Sequence, residues 1–241
     1  MRGIILSAGN GTRLRPCTKV TSKNLLPVYN RPLIYYPLNT LIKAGITEIL
    51  IIVSARHAGD YLNLLGSGKE FGVKFTYEIQ DKADGIAQSF IIGENFIDQE
   101  DVCLILGDNI FEDDFAKQIK SFKSGAKIFA TPVKDPERFG IVEVDDKNNA
   151  VSIEEKPAKP KSNLCVTGLY VYDHRVVDIA KNLKPSKRGE LEITDINKWY
   201  LKKKELEVAK FKGAWIDAGT FDSLVEAQVL AKKKLHKTMT I

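Results

Sequence analysis

Four stretches of this chain carry residue types at spacings suited to chemistry on phosphate. The first is the loop Ser7-Ala8-Gly9-Asn10-Gly11-Thr12-Arg13-Leu14, with the run Ser22-Lys23-Asn24-Leu25-Leu26-Pro27 behind it. Gly9 and Gly11 are expected to turn the backbone with positive φ and aim N–H groups at an anion, while Arg13 and Lys23 add two fixed cations. That is the makeup of a phosphate cradle. Two familiar glycine motifs are excluded. Walker A needs Lys-Ser or Lys-Thr after its last glycine, where this chain has Thr12-Arg13, and the dinucleotide fingerprint needs a glycine at Leu14. The second and third stretches hold Asp108, behind an apolar run and Gly107, and Asp217, in a second strand-end turn before a helix. One or two carboxylates, with phosphate oxygens and water, suffice for Mg²⁺. Taken singly, either aspartate is also a good turn or helix cap. The fourth is Glu154-Glu155-Lys156-Pro157, where Pro157 ends a strand and Lys156 projects from it.

These residues need a scaffold that brings their loops together. Gly3-Ile4-Ile5-Leu6 reads as a buried parallel strand feeding the first loop. Pro32 is expected to open a helix with Leu33, Ile34, Leu38, Leu41 and Ile42 on one face, stopped by Gly45, with Pro37 costing it a bond. Glu48 to Val53 is a continuous β-branched run, and β-loop-α-β implies a right-handed crossover and a parallel sheet. A short helix near Asp60–Leu65, a strand at Lys74–Ile79, a helix from Ile86 to Gly93 and a strand at Val102–Leu106 continue the pattern. Ligands in such sheets lie beyond the carboxyl ends of the strands. The Ser7 loop, the Gln80 to Gly85 loop and Gly107-Asp108-Asn109 should therefore meet at one mouth.

From about Phe115 the pattern changes. Strands at Ile141–Val144 and Val151–Glu154 around a polar turn at Asp145–Asn149 read as an antiparallel hairpin, followed by a strand at Leu164–Tyr172 and helices at His174–Leu183 and Thr194–Lys204. The expected fold is α/β: a Rossmann-like, mixed but mostly parallel sheet flanked by helices, with an inserted mixed α+β part. It reads as one domain, with a nucleotide-binding half at about 1–114, a second half at about 115–215, and a closing turn and helix at about 216–241.

Composition narrows the class. With 241 residues, 44% hydrophobic and 28% charged, the chain can bury a real core and is neither disordered nor fibrous. A formal charge of +5 favours an anionic small molecule. No nucleic-acid partner is expected, because the basic residues are dispersed and Lys202–Lys204 and Lys232–Lys234 fall late in helical segments. Cys17, Cys103 and Cys165 are widely separated, without a CxxC pair, and read as reduced thiols outside any zinc site. No apolar run reaches spanning length and the chain opens on a strand, so no membrane partner and a cytoplasmic location are expected.

The sequence resembles the sugar-1-phosphate nucleotidyltransferases, most closely the glucose-1-phosphate thymidylyltransferases among them. Besides the stretches above, the resemblance rests on Asp84-Gly85-Ile86-Ala87-Gln88, Asp135-Pro136-Glu137-Arg138-Phe139-Gly140, Val166-Thr167-Gly168-Leu169-Tyr170, Gly189-Glu190-Leu191-Glu192-Ile193-Thr194-Asp195 and Asp217-Ala218-Gly219-Thr220, in family order. It implies attack by a phosphate oxygen of glucose 1-phosphate on the α-phosphorus of dTTP, releasing pyrophosphate, with Mg²⁺ as cofactor. Such a transfer needs positioning and charge neutralisation rather than a side-chain nucleophile. By the resemblance, Arg13, Lys23, Asp108 and Lys156 are catalytic. Ala8, Gly9, Gly11, Thr12, Arg13, Lys23, Asn24, Gln80 and Gly85 bind the nucleotide, with Gln80 and the Gly85 backbone on the base edge. Asn109, Phe139, Gly140, Glu155, Lys156 and Val166 bind the sugar phosphate, and Asp108 and Asp217 hold the metal. A homo-oligomer is expected.

The chain departs from the thymidylyltransferase pattern at three points. Asn24 stands where Gln is usual, and Phe139 where Tyr is usual. The chain also stops soon after its last helix, without the extension that carries the effector site in longer members, so little feedback inhibition through that site is expected. A UTP-using uridylyltransferase is the alternative inside the family. A catalytically idle nucleotide-sugar sensor is the alternative outside the enzymes, although it would be expected to lose Arg13, Lys23, Asp108 or Lys156.

Overall fold

The computed structural model describes residues 1–241. The first half contributes β1 (Arg2–Ser7), a short β2 (Pro27–Val28) and β3 (Arg31–Pro32), α1 (Tyr35–Lys43), β4 (Glu48–Val53), α2 (Ala58–Leu65), β5 (Lys74–Ile79), α3 (Gln88–Ile92), α4 (Glu94–Ile97) and β6 (Val102–Leu106). Next come β7 (Asn109–Phe111), α5 (Ala116–Lys120), β8 (Ala126–Pro132), β9 (Gly140–Val144), β10 (Ala150–Glu155) and β11 (Leu164–Tyr172). The chain closes with α6 (Val176–Lys181), α7 (Ile193–Lys202), β12 (Leu206–Lys210), β13 (Trp215–Asp217) and α8 (Phe221–Lys233).

A nine-stranded mixed sheet runs in the order β10-β9-β11-β6-β1-β4-β5, with β8 on β11 and β12 on β8. The apolar runs form the parallel block, in which β1 lies between β4 and β6 and β4 pairs with β5. Both faces of this block are covered: Ile4, Leu50, Ile52 and Leu104 pack with Phe90 and Tyr172, while Ile5, Ile49, Ile51 and Ile105 pack with Leu38, Leu41 and Tyr61. Strand β11 turns the sheet antiparallel, pairing with β6, β8 and β9. Its register shifts between Val166 and Tyr170, and that irregularity falls beside the site. The predicted hairpin is β9/β10, its turn held by Asp145 Oδ1 accepting from the Lys147 and Asn149 N–H groups.

Three local expectations are corrected. Pro32 does not open a helix; it pairs with Pro27 in the β2/β3 hairpin, and α1 starts at Tyr35. Pro37 then falls in the first helical turn, where backbone N–H groups have no intrahelical acceptor, so it costs α1 no bond. Of the two loop glycines, Gly11 takes the left-handed conformation at φ 58° and Gly9 does not. A side chain at Gly9 would meet nothing closer than Lys23 Nζ at 4.0 Å, so there the glycine leaves the loop open instead of turning it.

Candidate active site

The carboxyl end of β6 and the β7/β13 pair build one corner of the site. Asn109 pairs with Asp217 across these strands, and the Ala218 N–H donates to the Asp108 carbonyl, which sets the two aspartates side by side. Lys23, held by the 3₁₀ turn Lys23–Leu25, makes an ion pair with Asp108 Oδ2. Burial works against charge on both partners, yet the attraction and the hydrogen bond win: the Lys23 ammonium is raised above its ordinary value and the Asp108 carboxyl is held below its own. Asp217 goes the other way. Burial first, then the neighbouring Asp108 charge, push it up to about 7. Buried Asp217 Oδ1, Ser7 Oγ and Asn24 Oδ1 have no hydrogen-bond partner. Two adjacent carboxylates with an orphaned oxygen, beside the ammonium of Lys23, are a donor set that fits a hard divalent cation.

Arg13 reaches this corner from the first loop. Its 3₁₀ turn, Thr12–Leu14, is anchored by fully buried Leu14 and by the Thr18 hydroxyl donating to the Gly11 carbonyl at 2.7 Å. Bare Gly219 makes room for the guanidinium: a Cβ there would lie 2.6 Å from Arg13 Nη2 and 3.0 Å from Asp217 Oδ1.

From this corner a cavity of about 300 Å³ extends over the β11 irregularity to α7. Asn109 Oδ1 ties its floor together, accepting from the Gly168 N–H at 2.9 Å and from Trp215 Nε1 at 2.7 Å. Gly168 has to be glycine, because a Cβ would come within 2.5 Å of that oxygen. At the far end Thr194 Oγ1 donates to Glu155 Oε2 at 2.6 Å, leaving Glu155 Oε1 without a hydrogen bond but 3.6 Å from Arg188 Nη2. Lys156 leaves the hairpin at φ 43°, a left-handed conformation uncommon for a non-glycine residue, with its N–H donating to the Phe139 carbonyl. Phe139 packs edge-on against Trp215 with ring centroids 5.3 Å apart.

Of the residues expected to form the site, Arg13, Asp108, Asn109, Phe139, Gly140, Glu155, Lys156, Val166 and Asp217 all line this cavity. Ala8, Gly9, Gly11, Thr12, Lys23, Asn24, Gln80 and Gly85 do not; they sit around the carboxyl ends of β1 and β5. Asn24 is 3% exposed and Gln80 5%, so each is held among its neighbours. Gln80 Nε2 donates to Gln88 Oε1 at 2.6 Å, and Gln88 Nε2 contacts Asp84 Oδ2 at 3.5 Å.

Sequence reasoning assigned no role to Arg188, Thr194 or Trp215, which also line the cavity. Trp215 carried a readable signal, since alternation along β13 puts it on the same face as Asp217. Arg188 carried none. It is brought in by the Ser186–Glu190 turn and held by Glu192 at 2.8 Å and Glu190 at 3.1 Å.

Gly85 shows why its loop cannot vary. It sits at φ 109°, and a Cβ would lie 2.6 Å from the Leu191 nitrogen and closer still to the Leu191 carbonyl oxygen. Leu191 in turn donates to the Asp84 carbonyl and accepts from the Ala87 N–H. Gly85→Ala is expected to lower stability by about 2–3 kcal/mol, read as a reduced urea midpoint at unchanged slope.

Comparison with known proteins agrees with this architecture. Residues 2–234 match the family described as nucleotidyl transferase. A Neisseria meningitidis relative, a glucose-1-phosphate thymidylyltransferase, is 53% identical over 233 residues, covering 94% of this chain and 81% of its own. A Bacillus anthracis crystal structure with bound sucrose, assigned to the same enzyme, superposes with a TM-score of 0.92 at 50% identity, covering 97% of this chain and 96% of that one. A UDP-glucose pyrophosphorylase bound to UDP-glucose superposes with a TM-score of 0.85 at 25% identity, covering 96% and 98%.

Proposed function

The chain belongs to the nucleotidyl transferase family, and from that membership we propose that it is a glucose-1-phosphate thymidylyltransferase, converting dTTP and glucose 1-phosphate to dTDP-glucose and pyrophosphate. The observation that carries this reading is one cavity with a paired-carboxylate corner beside Arg13 at one end and a polar pocket built on Glu155 and Thr194 at the other. A phosphate oxygen of the sugar phosphate forms the new bond to the α-phosphorus of dTTP, and the α–β bridging bond breaks to release pyrophosphate.

The place of each residue supports the part assigned to it in this reading. Ala8, Gly9, Gly11 and Thr12 offer the turn that receives the triphosphate, and Arg13 and Lys23 neutralise the charge that builds on the leaving pyrophosphate. Lys156 and Arg188 hold the sugar's phosphate, while Asn109, Phe139, Gly140, Glu155 and Val166 shape the hexose pocket. Gly140 stays bare because a Cβ there would crowd Glu155 Oε2 at 3.3 Å and Thr194 Oγ1 at 3.4 Å. Asn24, Gln80 and the Gly85 backbone define the base end. Asp108 and Asp217 would hold Mg²⁺, which when bound supplies charge neutralisation across the triphosphate oxygens.

The nucleotide is tested by initial rates of pyrophosphate release with glucose 1-phosphate and each of dTTP and UTP. The substrates differ by one methyl, so kcat/KM for dTTP is expected to exceed that for UTP by about 10- to 200-fold. An equal or reversed ratio would move the enzyme to the uridylyltransferases and make Asn24 the first position to change.

The carboxylate pair also predicts a pH dependence. Asp217 is raised to about 7 from an ordinary 3.8, so between these values the folded protein holds a proton that the unfolded chain does not. The stabilisation from that group is complete below about pH 4 and is lost as pH rises through about 7. A divalent cation needs both carboxylates ionised and competes with the same proton. Calorimetric titration with Mg²⁺ is expected to show affinity rising about fivefold from pH 6 to pH 7, with a proton released on binding, and levelling off above pH 8. Asp217→Asn is expected to remove the proton release.

A further inference from the structure

The loop between β5 and α3 carries a chain of three polar side chains that ends on a carboxylate. Gln80, directly after β5, is fixed by its N–H donating to the Val53 carbonyl at 2.9 Å. Its Nε2 donates to Oε1 of Gln88, the first residue of α3, at 2.6 Å, and Gln88 Nε2 faces Asp84 Oδ2 at 3.5 Å. Asp84 is itself held, its carbonyl accepting from the Leu191 N–H at 2.7 Å. Gln80 Oε1 accepts from no protein group, yet it is not sealed off from solvent.

A chain of amides can run in either direction, and the end that cannot reverse decides which. A carboxylate only accepts. Asp84 therefore draws the NH₂ of Gln88 toward itself, which turns Gln88 Oε1 to Gln80, holds Gln80 Nε2 inward and leaves Gln80 Oε1 outward. In the reversed chain Gln88 Oε1 would face the Asp84 carboxylate, and an amide dipole orients against that. The outward atom of Gln80 is thus an acceptor. Uracil and thymine present an N3–H donor where cytosine presents a bare N3 acceptor. An outward acceptor satisfies the first, and with the second it leaves two desolvated lone pairs against each other.

We propose that Asp84 and Gln88 are specificity-determining positioning residues, which hold the Gln80 amide with its oxygen toward the base and so admit pyrimidines that carry an N3–H and turn cytosine away. Their role rests on the placement of Gln80 at the base proposed above. It goes beyond that placement, because the same Gln80 with its amide turned over would favour cytosine at N3. The thymine methyl lies on C5, away from N3, so the relay separates dTTP and UTP together from CTP and has no part in the choice between them.

The test is kcat/KM for pyrophosphate release with glucose 1-phosphate and each of dTTP, dUTP and dCTP, the last two differing only at N3 and the C4 substituent. The wild-type enzyme is expected to favour dUTP over dCTP by about 10³-fold or more. Gln88→Lys replaces the acceptor facing Gln80 with a donor and is expected to lower that ratio about 100-fold. Asp84→Asn can face either way and is expected to lower it about tenfold. Gln88→Glu keeps an oxygen facing Gln80 Nε2 and is expected to hold the ratio within about threefold of wild type. Where a variant turns over too slowly, the ratio of calorimetric dissociation constants for dUDP and dCDP takes its place. A merely structural role for the two residues would lower all rates together and leave the ratio alone, and that result overturns the proposal. So does a Gln88→Glu variant that loses discrimination as far as Gln88→Lys. No wild-type turnover with dTTP would instead overturn the reaction assigned above, and the relay with it.

Discussion

Asp108→Asn is expected to lower kcat by about 10³-fold or more in a protein that melts within a few degrees of wild type. Asparagine keeps the shape of the side chain and an oxygen to accept from Asn109 Nδ2, which contacts Asp108 Oδ1 at 3.0 Å. What it removes is a negative charge. Removing one partner of a buried ion pair usually costs several kcal/mol, because the other charge is left stranded. Here it is not stranded. Asp217 is raised partly by the Asp108 charge, so without that charge it ionises more readily and takes over as partner of Lys23, whose ammonium it already influences. The fold keeps one anion for one cation, but the second carboxylate needed for a divalent metal is gone. Steady-state pyrophosphate release and a thermal melt on the same preparation check both halves. A variant that melts normally and retains turnover would remove Asp108 from the reaction.

Arg13→Ala is expected to cost about 10²- to 10³-fold in kcat with stability nearly unchanged. The side chain is exposed and makes no hydrogen bond within the protein, and the turn that carries it is anchored through Leu14 and Thr18 instead. Its charge therefore serves what binds between the first loop and the Asp217 turn. Arg13→Lys is expected to recover only part of the loss, since an ammonium cannot span two phosphate oxygens as a planar guanidinium does. Gly219→Ala should reproduce a weaker version of the same defect without touching Arg13, because its Cβ would occupy the place of Arg13 Nη2. Rate measurements across these variants check the order. Full activity in Arg13→Ala would assign the neutralisation of the leaving group to other residues.

The parallel half of the fold was legible because its strands are covered on both faces and so read as unbroken apolar runs. Ile4–Leu6, Ile49–Val53 and Val102–Leu106 could be placed from composition alone, and the rule that ligands lie beyond strand carboxyl ends located the mouth. The far half was less legible because its pairings are non-local. The β7/β13 ladder joins Asn109 to Asp217 across most of the second half of the chain, and no local pattern announces it. That ladder is nevertheless what sets the two aspartates side by side. Arg188 escaped for a different reason: an arginine in a Ser/Lys/Gly-rich turn looks like any solvated charge, and only the fold brings Glu155, Glu190 and Glu192 around it. Gly9 and Gly11 look alike in sequence, yet only Gly11 turns the chain, and there Thr18 and Lys23 would also crowd a Cβ at 2.9 and 3.2 Å.

The central claim is that a phosphate oxygen of the sugar attacks the α-phosphorus of dTTP in this cavity, and isotope position tests it most directly. Glucose 1-phosphate labelled with ¹⁸O in its three non-bridging phosphate oxygens is incubated with dTTP, Mg²⁺ and the enzyme, and the products are separated and analysed by ³¹P NMR and mass spectrometry. The account predicts dTDP-glucose that retains all three labels, one of them bridging the two phosphorus atoms, and unlabelled pyrophosphate in equal amount. Label in the released pyrophosphate, or thymidine monophosphate and free sugar phosphate in place of the sugar nucleotide, would contradict it.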